Sequence, residues 1–204
     1  MFNSVILFNE RKSMKKVFFL IVLFLSILGA MLPAQDNNGE IVQDGSNNEA
    51  LLEQIGCLNL AQIKQIEFAS NNNVEIQQSG IENEVFLTQL QYGNIAELVQ
   101  TGSENIINIT QNGYRNESEI TQKGNFNEVE MTVRGTQNTA SILQDGSNNT
   151  VSQELAGNNL EYVLIQTGDN NSILQIENGE GEPTYSVEQK GNDMHITIIH
   201  GKIW

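Results

Sequence analysis

The chain has 204 residues, 39% of them hydrophobic and 6% aromatic, with a single cysteine and a formal charge of −15 at neutral pH. So acidic a chain repels polyanions, which excludes nucleic acid as a partner. One cysteine allows no internal disulfide framework.

Residues 1–34 read as a secretory signal peptide. Arg11, Lys12, Lys15 and Lys16 form a basic region, Val17 to Leu32 an apolar run, and Leu32-Pro33-Ala34 a small-residue cleavage site. The run is shorter than the roughly 20 residues a spanning helix needs, and a start at Met14 gives a leader of more conventional length. Cleavage after Ala34 removes Glu10 and four bases and leaves 24 acids against 6 bases, a formal charge of −18. Residues 35–204 are expected to form one secreted domain.

That domain repeats. Asn105-Ile107-Ile109-Gln111-Gly113 is followed by Asn116-Ser118-Ile120-Gln122-Gly124, by Asn127-Val129-Met131-Val133-Gly135 and by Asn138-Ala140-Ile142-Gln144-Gly146, a restart every eleven residues. Fifteen units open at Asn37, Asn48, Asn59, Asn72, Asn83, Asn94, Asn105, Asn116, Asn127, Asn138, Asn149, Leu160, Asn171, Glu182 and Met194. Two extra residues are expected around Ser70 to Asn72 and one near Glu182-Pro183, with Pro183 in a corner. Within a unit the marked positions are two apart, so Asn, two apolar or small residues and Gln share one strand face. The glycines, including Gly102, Gly113, Gly124, Gly135, Gly146, Gly157 and Gly168, stand where the chain turns. Alternate units differ. One set has β-branched Val85, Ile107, Val129, Val151 and Ile173 at its second inward position, and its Gln89 and Gln111 give way to Val133, Leu155 and Glu177. The other has Ala96, Ser118, Ala140 and then Tyr162, and keeps Gln100, Gln122, Gln144 and Gln166. The true repeat is therefore twenty-two residues, two strands per rung.

These features predict an all-β fold, a β-solenoid of about seven rungs and, at about 4.8 Å per rung, about 35 Å long. Buried Asn and Gln are costly when unpaired, by roughly 1 to 3 kcal/mol each. In a rung stack each lies over an identical residue. Asn83, Asn105, Asn127, Asn149 and Asn171 are expected to form one amide column and Gln100, Gln122, Gln144 and Gln166 another, with Ile107, Ile109, Ile120 and Ile142 packed between, a cross-β arrangement that assembly would extend.

The spacing Gln111-x-Gly113-x-x-Asn116-x-Ser118-x-x-x-Gln122, and likewise Gln89 to Gly102 with Asn94, Ala96 and Gln100, resembles the curlin repeat of bacterial curli, Ser-x5-Gln-x-Gly-x2-Asn-x-Ala-x3-Gln. The resemblance covers essentially all of residues 35–204. It implies a secreted, structural subunit that crosses the outer membrane unfolded through a secretion pore and polymerises at the cell surface, with itself and a related curli subunit, into the amyloid fibres of a biofilm matrix. Three features depart from the family pattern: the opening Ser is Asn, about seven repeats stand where five are usual, and Met194 to Trp204 lacks Asn, Gln and Gly at their places. The last bears on whether this is a major subunit or a minor nucleating or capping one, and it suggests that this end docks on a different partner or a membrane surface.

Nothing in the repeats points to catalysis, a cofactor or a small-molecule substrate. Glu117, Glu119, Glu128 and Glu130 fall on outward faces as solubilising charge, and His195 and His200, five apart, cannot share a face of one strand. Cys57 follows a corner glycine, and Phe68, Tyr92, Tyr114 and Phe126 lie near corners as lateral contacts. A monomeric solenoid adhesin is the alternative from the binding class.

Overall fold

The computed structural model describes residues 20–25, 36–180 and 184–201. Of the expected leader, only the backbone of Leu20–Leu25 falls within these. The basic region, the cleavage site, Pro183, Ile203 and Trp204 lie outside them. In chain order the strands are β1 (Leu20–Leu25), β2 (Asn38–Gln43), β3 (Glu49–Cys57), β4 (Leu60–Ser70), β5 (Asn73–Ile81), β6 (Glu84–Tyr92), β7 (Ile95–Ser103) and β8 (Ile106–Tyr114). They continue as β9 (Glu117–Asn125), β10 (Glu128–Thr136), β11 (Thr139–Ser147), β12 (Thr150–Asn158), β13 (Glu161–Asp169), β14 (Ser172–Glu180), β15 (Tyr185–Lys190) and β16 (His195–Gly201).

Odd-numbered strands form one eight-stranded sheet and even-numbered strands the other, each in the order of the chain and each all parallel. The architecture is a two-sheet β-solenoid with a rung every 22 residues, since Glu117 pairs with Thr139 and Glu128 with Thr150. The reason is the period-two pattern: inward positions bury completely while their neighbours stay exposed, as in the alternating burial of β9 and β10. Val85, Ile107, Val129 and Val151 make one fully buried apolar column, and Leu98, Ile120 and Ile142 another. No single unit could hide these residues; stacking hides all of them.

Most corners use two left-handed residues, of which the glycine was anticipated from the sequence. The glycine is the first: a Cβ on Gly124 (φ +109°) would sit 1.9 Å from the carbonyl oxygen of Gly146. The second is whatever precedes the inward Asn, for example Arg115, Phe126 and Gln137, each at φ +57°. Its amide is tied to the neighbouring rung, as Phe126 N donates to Ser103 O at 3.0 Å, so the corners are laddered like the strands.

Two expected insertions differ in the structure. The two extra residues enter earlier than Ser70 to Asn72, as a bulge at Glu67 and Phe68, both at positive φ, between the pairs Ile66–Leu90 and Ser70–Tyr92. Bulging there lets Phe68, 92% exposed, leave the coil while Ala69 stays buried. At the other site Tyr185 pairs with Tyr162 and Gln189 with Gln166, so the described strand runs one residue out of phase with a count from Glu182. This phase turns Tyr185, Val187 and Gln189 inward; the phase from Glu182 would have buried Ser186 and Glu188 in their place.

Gly124→Ala is expected to destabilise the fold by at least about 2 kcal/mol, because the new Cβ meets backbone on the next rung. Chemical denaturation would show it, and a loss below about 0.5 kcal/mol would mean the corner can open.

Candidate functional site

The corner delivers each inward Asn to the same place. Asn105 is representative: its backbone N and Nδ2 donate to Asn83 Oδ1 at 3.2 and 2.9 Å, Nδ2 also donates to Gly124 O at 2.8 Å, and its own Oδ1 accepts from Asn127 N and Nδ2 at 3.1 and 3.0 Å. The column Asn83, Asn105, Asn127, Asn149, Asn171 continues back through Asn59 to Asn37. A second column, not singled out from the sequence, runs through Asn48, Asn72, Asn94, Asn116 and Asn138. Both stop at apolar residues: Leu160 N caps Asn138 and Met194 N caps Asn171.

Glutamines stack the other way. Nε2 of Gln100 donates to Oε1 of Gln122 at 2.9 Å, Gln122 to Gln144 at 2.9 Å and Gln144 to Gln166 at 3.0 Å. This ladder extends to Gln54 and Gln78 on one side and to Gln189 on the other. Asn side chains thus donate towards the N-terminal rungs, and Gln side chains towards the C-terminal rungs. Ile107, Ile109, Ile120 and Ile142 are buried between the amide columns, and Gly102, Gly113, Gly124, Gly135, Gly146, Gly157 and Gly168 occupy successive corners of the two sheets.

In the even-numbered sheet the ladder Gln43, Gln65, Gln89, Gln111 ends where Val133 replaces Gln, and Gln111 turns to Ser118 Oγ at 2.9 Å. Val133 and Leu155 are apolar and buried. The next residue in line, buried Glu177, accepts from Tyr185 Oη at 2.5 Å and meets His200 Nδ1 at 3.0 Å. Tyr185 stacks edge-on against Tyr162, ring centroids 4.7 Å apart. Burial raises the phenol pKa of both tyrosines well above 10, and the Glu177 carboxylate pushes the same way. A pair Gln153 to Gln175, at 2.8 Å, adds a short ladder beside them. Its signal was Gln at the third inward position of two successive even units.

On the outside, Glu117, Glu119, Glu128 and Glu130 are exposed. Glu75, Glu97 and Glu119 stand side by side, a like-charge row that salt screens. His195 is exposed on the outer face, whereas His200 takes the inward Gln position. Among the described residues, no group of three or more His, Cys, Asp or Glu is arranged to hold a metal ion. Cys57 closes β3 as a half-buried free thiol, and Phe68, Tyr92, Tyr114 and Phe126 are exposed at corners.

Two stretches, residues 34–66 and 102–132, match the family model of the curlin associated repeat. In these two stretches the chain is similar to curlin-repeat proteins. No curated protein matches it. The matched segments span the opening half-rungs β2 and β3 and the central strands β8 and β9, and the same amide pattern joins them through every rung between. A curlin-repeat solenoid is structural rather than enzymatic in kind, and its distinctive chemistry is this pair of opposed ladders.

Inward and outward substitutions are expected to separate. Ile109→Lys or Ile142→Lys places an unpaired charge in the core and should prevent folding of the rung, whereas Glu119→Lys, beside Glu97, should change stability by less than about 0.5 kcal/mol in a salt-dependent way. Equal effects in denaturation curves at low and high salt would contradict the strand phase.

Alkali is expected to weaken the C-terminal rungs. Tyr162 and Tyr185 stay protonated when folded but ionise near 10 when unfolded, so their contribution is intact below pH 10 and falls as pH rises above it. Tyrosinate absorbance followed with unfolding would detect this, and Tyr185→Phe should lessen the effect.

Proposed function

We propose that the chain is the structural subunit of a curli-like amyloid fibre. On this reading residues 1–34 are a signal peptide removed on export, and residues 35–204 fold at the cell surface and stack end to end as biofilm matrix. The observation that carries it is the continuity of the ladders: one Asn column runs from Asn37 to Asn171 and one Gln column from Gln54 to Gln189, nearly the length of the coil, with apolar columns between them. An edge strand with unpaired N–H and C=O groups is a template for the next strand, and here it also offers side-chain columns in register. The named Asn, Gln, Ile and Gly residues are then assembly residues as much as folding residues, because the same contacts would recur across the junction. A secretion pore and a related curli subunit are the partners such a life cycle calls for. The capping or nucleating role is the second reading, favoured by the end of the Asn column at Met194.

The processed chain is expected to polymerise alone, faster when seeded with its own fibres, with thioflavin fluorescence and a diffraction spacing of about 4.8 Å along the fibre. A chain that stays monomeric for days at tens of micromolar, seeded or not, would remove the fibre subunit and favour the adhesin.

A further inference from the structure

If subunits stack end to end, the two ends of this coil decide how they meet. The repeat strands run from β2 to β16, and both of these lie in the even-numbered sheet. A subunit added by translation alone would pair β16 with the next β2 and leave a one-strand gap in the odd-numbered sheet, between β15 and the next β3. Turning the incoming subunit by half a turn about the fibre axis removes the gap. Its β2 then pairs with β15 and its β3 with β16, so two strand edges are satisfied where translation satisfies one.

The side chains match in that arrangement. Extending the observed registers by one half-rung sets Tyr185, Val187 and Gln189 against Gly39, Ile41 and Gln43, and Ile196, Ile198 and His200 against Ala50, Leu52 and Gln54. Bulky Tyr185 meets Gly39, the one glycine at the second inward position of any unit. Gln189 continues the Gln ladder into Gln43. On the outer face Lys190 meets Asp44 and His195 meets Glu49, favourable pairs on an otherwise acidic chain.

Gln54 supplies the most specific evidence. Its side chain is fully buried, Nε2 donates onward to Gln78, and Oε1 has no hydrogen-bond partner among the described residues. Because the Gln ladder donates towards the C-terminal end, that oxygen is the acceptor at its head, open to a donor arriving from the preceding subunit. His200 stands at the matching place on β16. Its Nδ1 meets Glu177 at 3.0 Å, which leaves the other ring nitrogen, Nε2, for the junction. The β3 edge already accepts a parallel strand: β1 pairs with it from Leu20–Ala50 to Leu25–Ile55, the place the half-turn gives to the partner's β16 once the leader is gone.

We infer that successive subunits are related by a half-turn about the fibre axis, with β15 and β16 of one copy pairing β2 and β3 of the next. This rests on the fibre reading and specifies its junction. It also gives the last unit a second copy of this chain as its partner in place of a different protein or a membrane. The junction is heterologous and repeats indefinitely, as a filament requires.

Cysteine cross-linking tests it on the processed chain carrying Cys57→Ser. Thr197→Cys with Leu51→Cys places the two thiols on adjacent strands under the half-turn, about 4.8 Å apart and within disulfide reach. Thr197→Cys with Glu40→Cys does so under translation. All three positions are outward, and the paired residues lie at opposite ends of one subunit, so only junctions can link them. Oxidised fibres of the first pair should give a ladder of covalent multimers on a non-reducing gel, and those of the second should stay monomeric. Where a double variant fails to polymerise, equal mixtures of the single-cysteine chains read out the same contact as dimers. Multimers from the second pair, or fibres that link through neither, overturn the half-turn while leaving the fibre intact. Absence of fibres from the unsubstituted chain overturns the fibre reading instead.

Discussion

A buried primary amide must find partners for both its oxygen and its NH2 group, and in this solenoid the same residue one rung away supplies one for each, with backbone carbonyls taking the remaining N–H. That requirement sets the register. A slip of one residue would move every Asn and Gln to the solvent face and bring Glu, Thr and Lys inside. A slip of a whole unit would set an Asn and Ala unit over an Asn and Val unit, which the alternation of the two sheets resists. Corner geometry serves the same end: the carbonyl of Gly124, pressed so close that no Cβ fits beside it, is the acceptor for Asn105.

Opposed ladder directions give the coil chemically distinct ends. Asn columns place their donors towards the N-terminal rungs, where Asn37 Nδ2 is spent on the carbonyls of Gln54 and Gly56. The Gln columns place acceptors there, and Gln54 keeps one unspent. At the far end the Asn oxygens are capped by Met194 N, and Gln189 gives its amide to Ser172 O and Met194 O. Two opposed rows of dipoles also partly cancel, so a long stack does not accumulate one large axial field.

The last rungs show what happens when the amide column is abandoned. Across the core, the second inward position of an odd strand faces the Gln position of an even strand, as the Gln111 to Ser118 bond shows. Small residues face Gln in the early rungs; Tyr162 and Tyr185 come in where Gln has become Leu155 and Glu177. The phenol of Tyr185 with the His200 ring supplies the donors that a buried carboxylate needs.

Much of this was legible in the sequence because the repeat is short and each marked position does the same physical task in every unit. The period of eleven, the alternation giving twenty-two and the inward phase from Asn83 to Asn171 follow from residue spacing alone, as does the columnar stacking of Gln100 to Gln166. Where a unit departs from the pattern, local spacing no longer determines the phase. Counting from Glu182 sets the strand one residue out of phase, and only the pairing of Gln189 with Gln166 decides. The bulge at Glu67 and Phe68 was likewise hidden, since a strand can eject an apolar side chain only if its neighbours close behind it, and that depends on Leu90 and Tyr92 across the sheet. The direction of each amide ladder, the left-handed residue before each Asn and the open oxygen of Gln54 belong to the tertiary structure, because each is set by which atoms the adjacent rung presents and not by any residue's own preference.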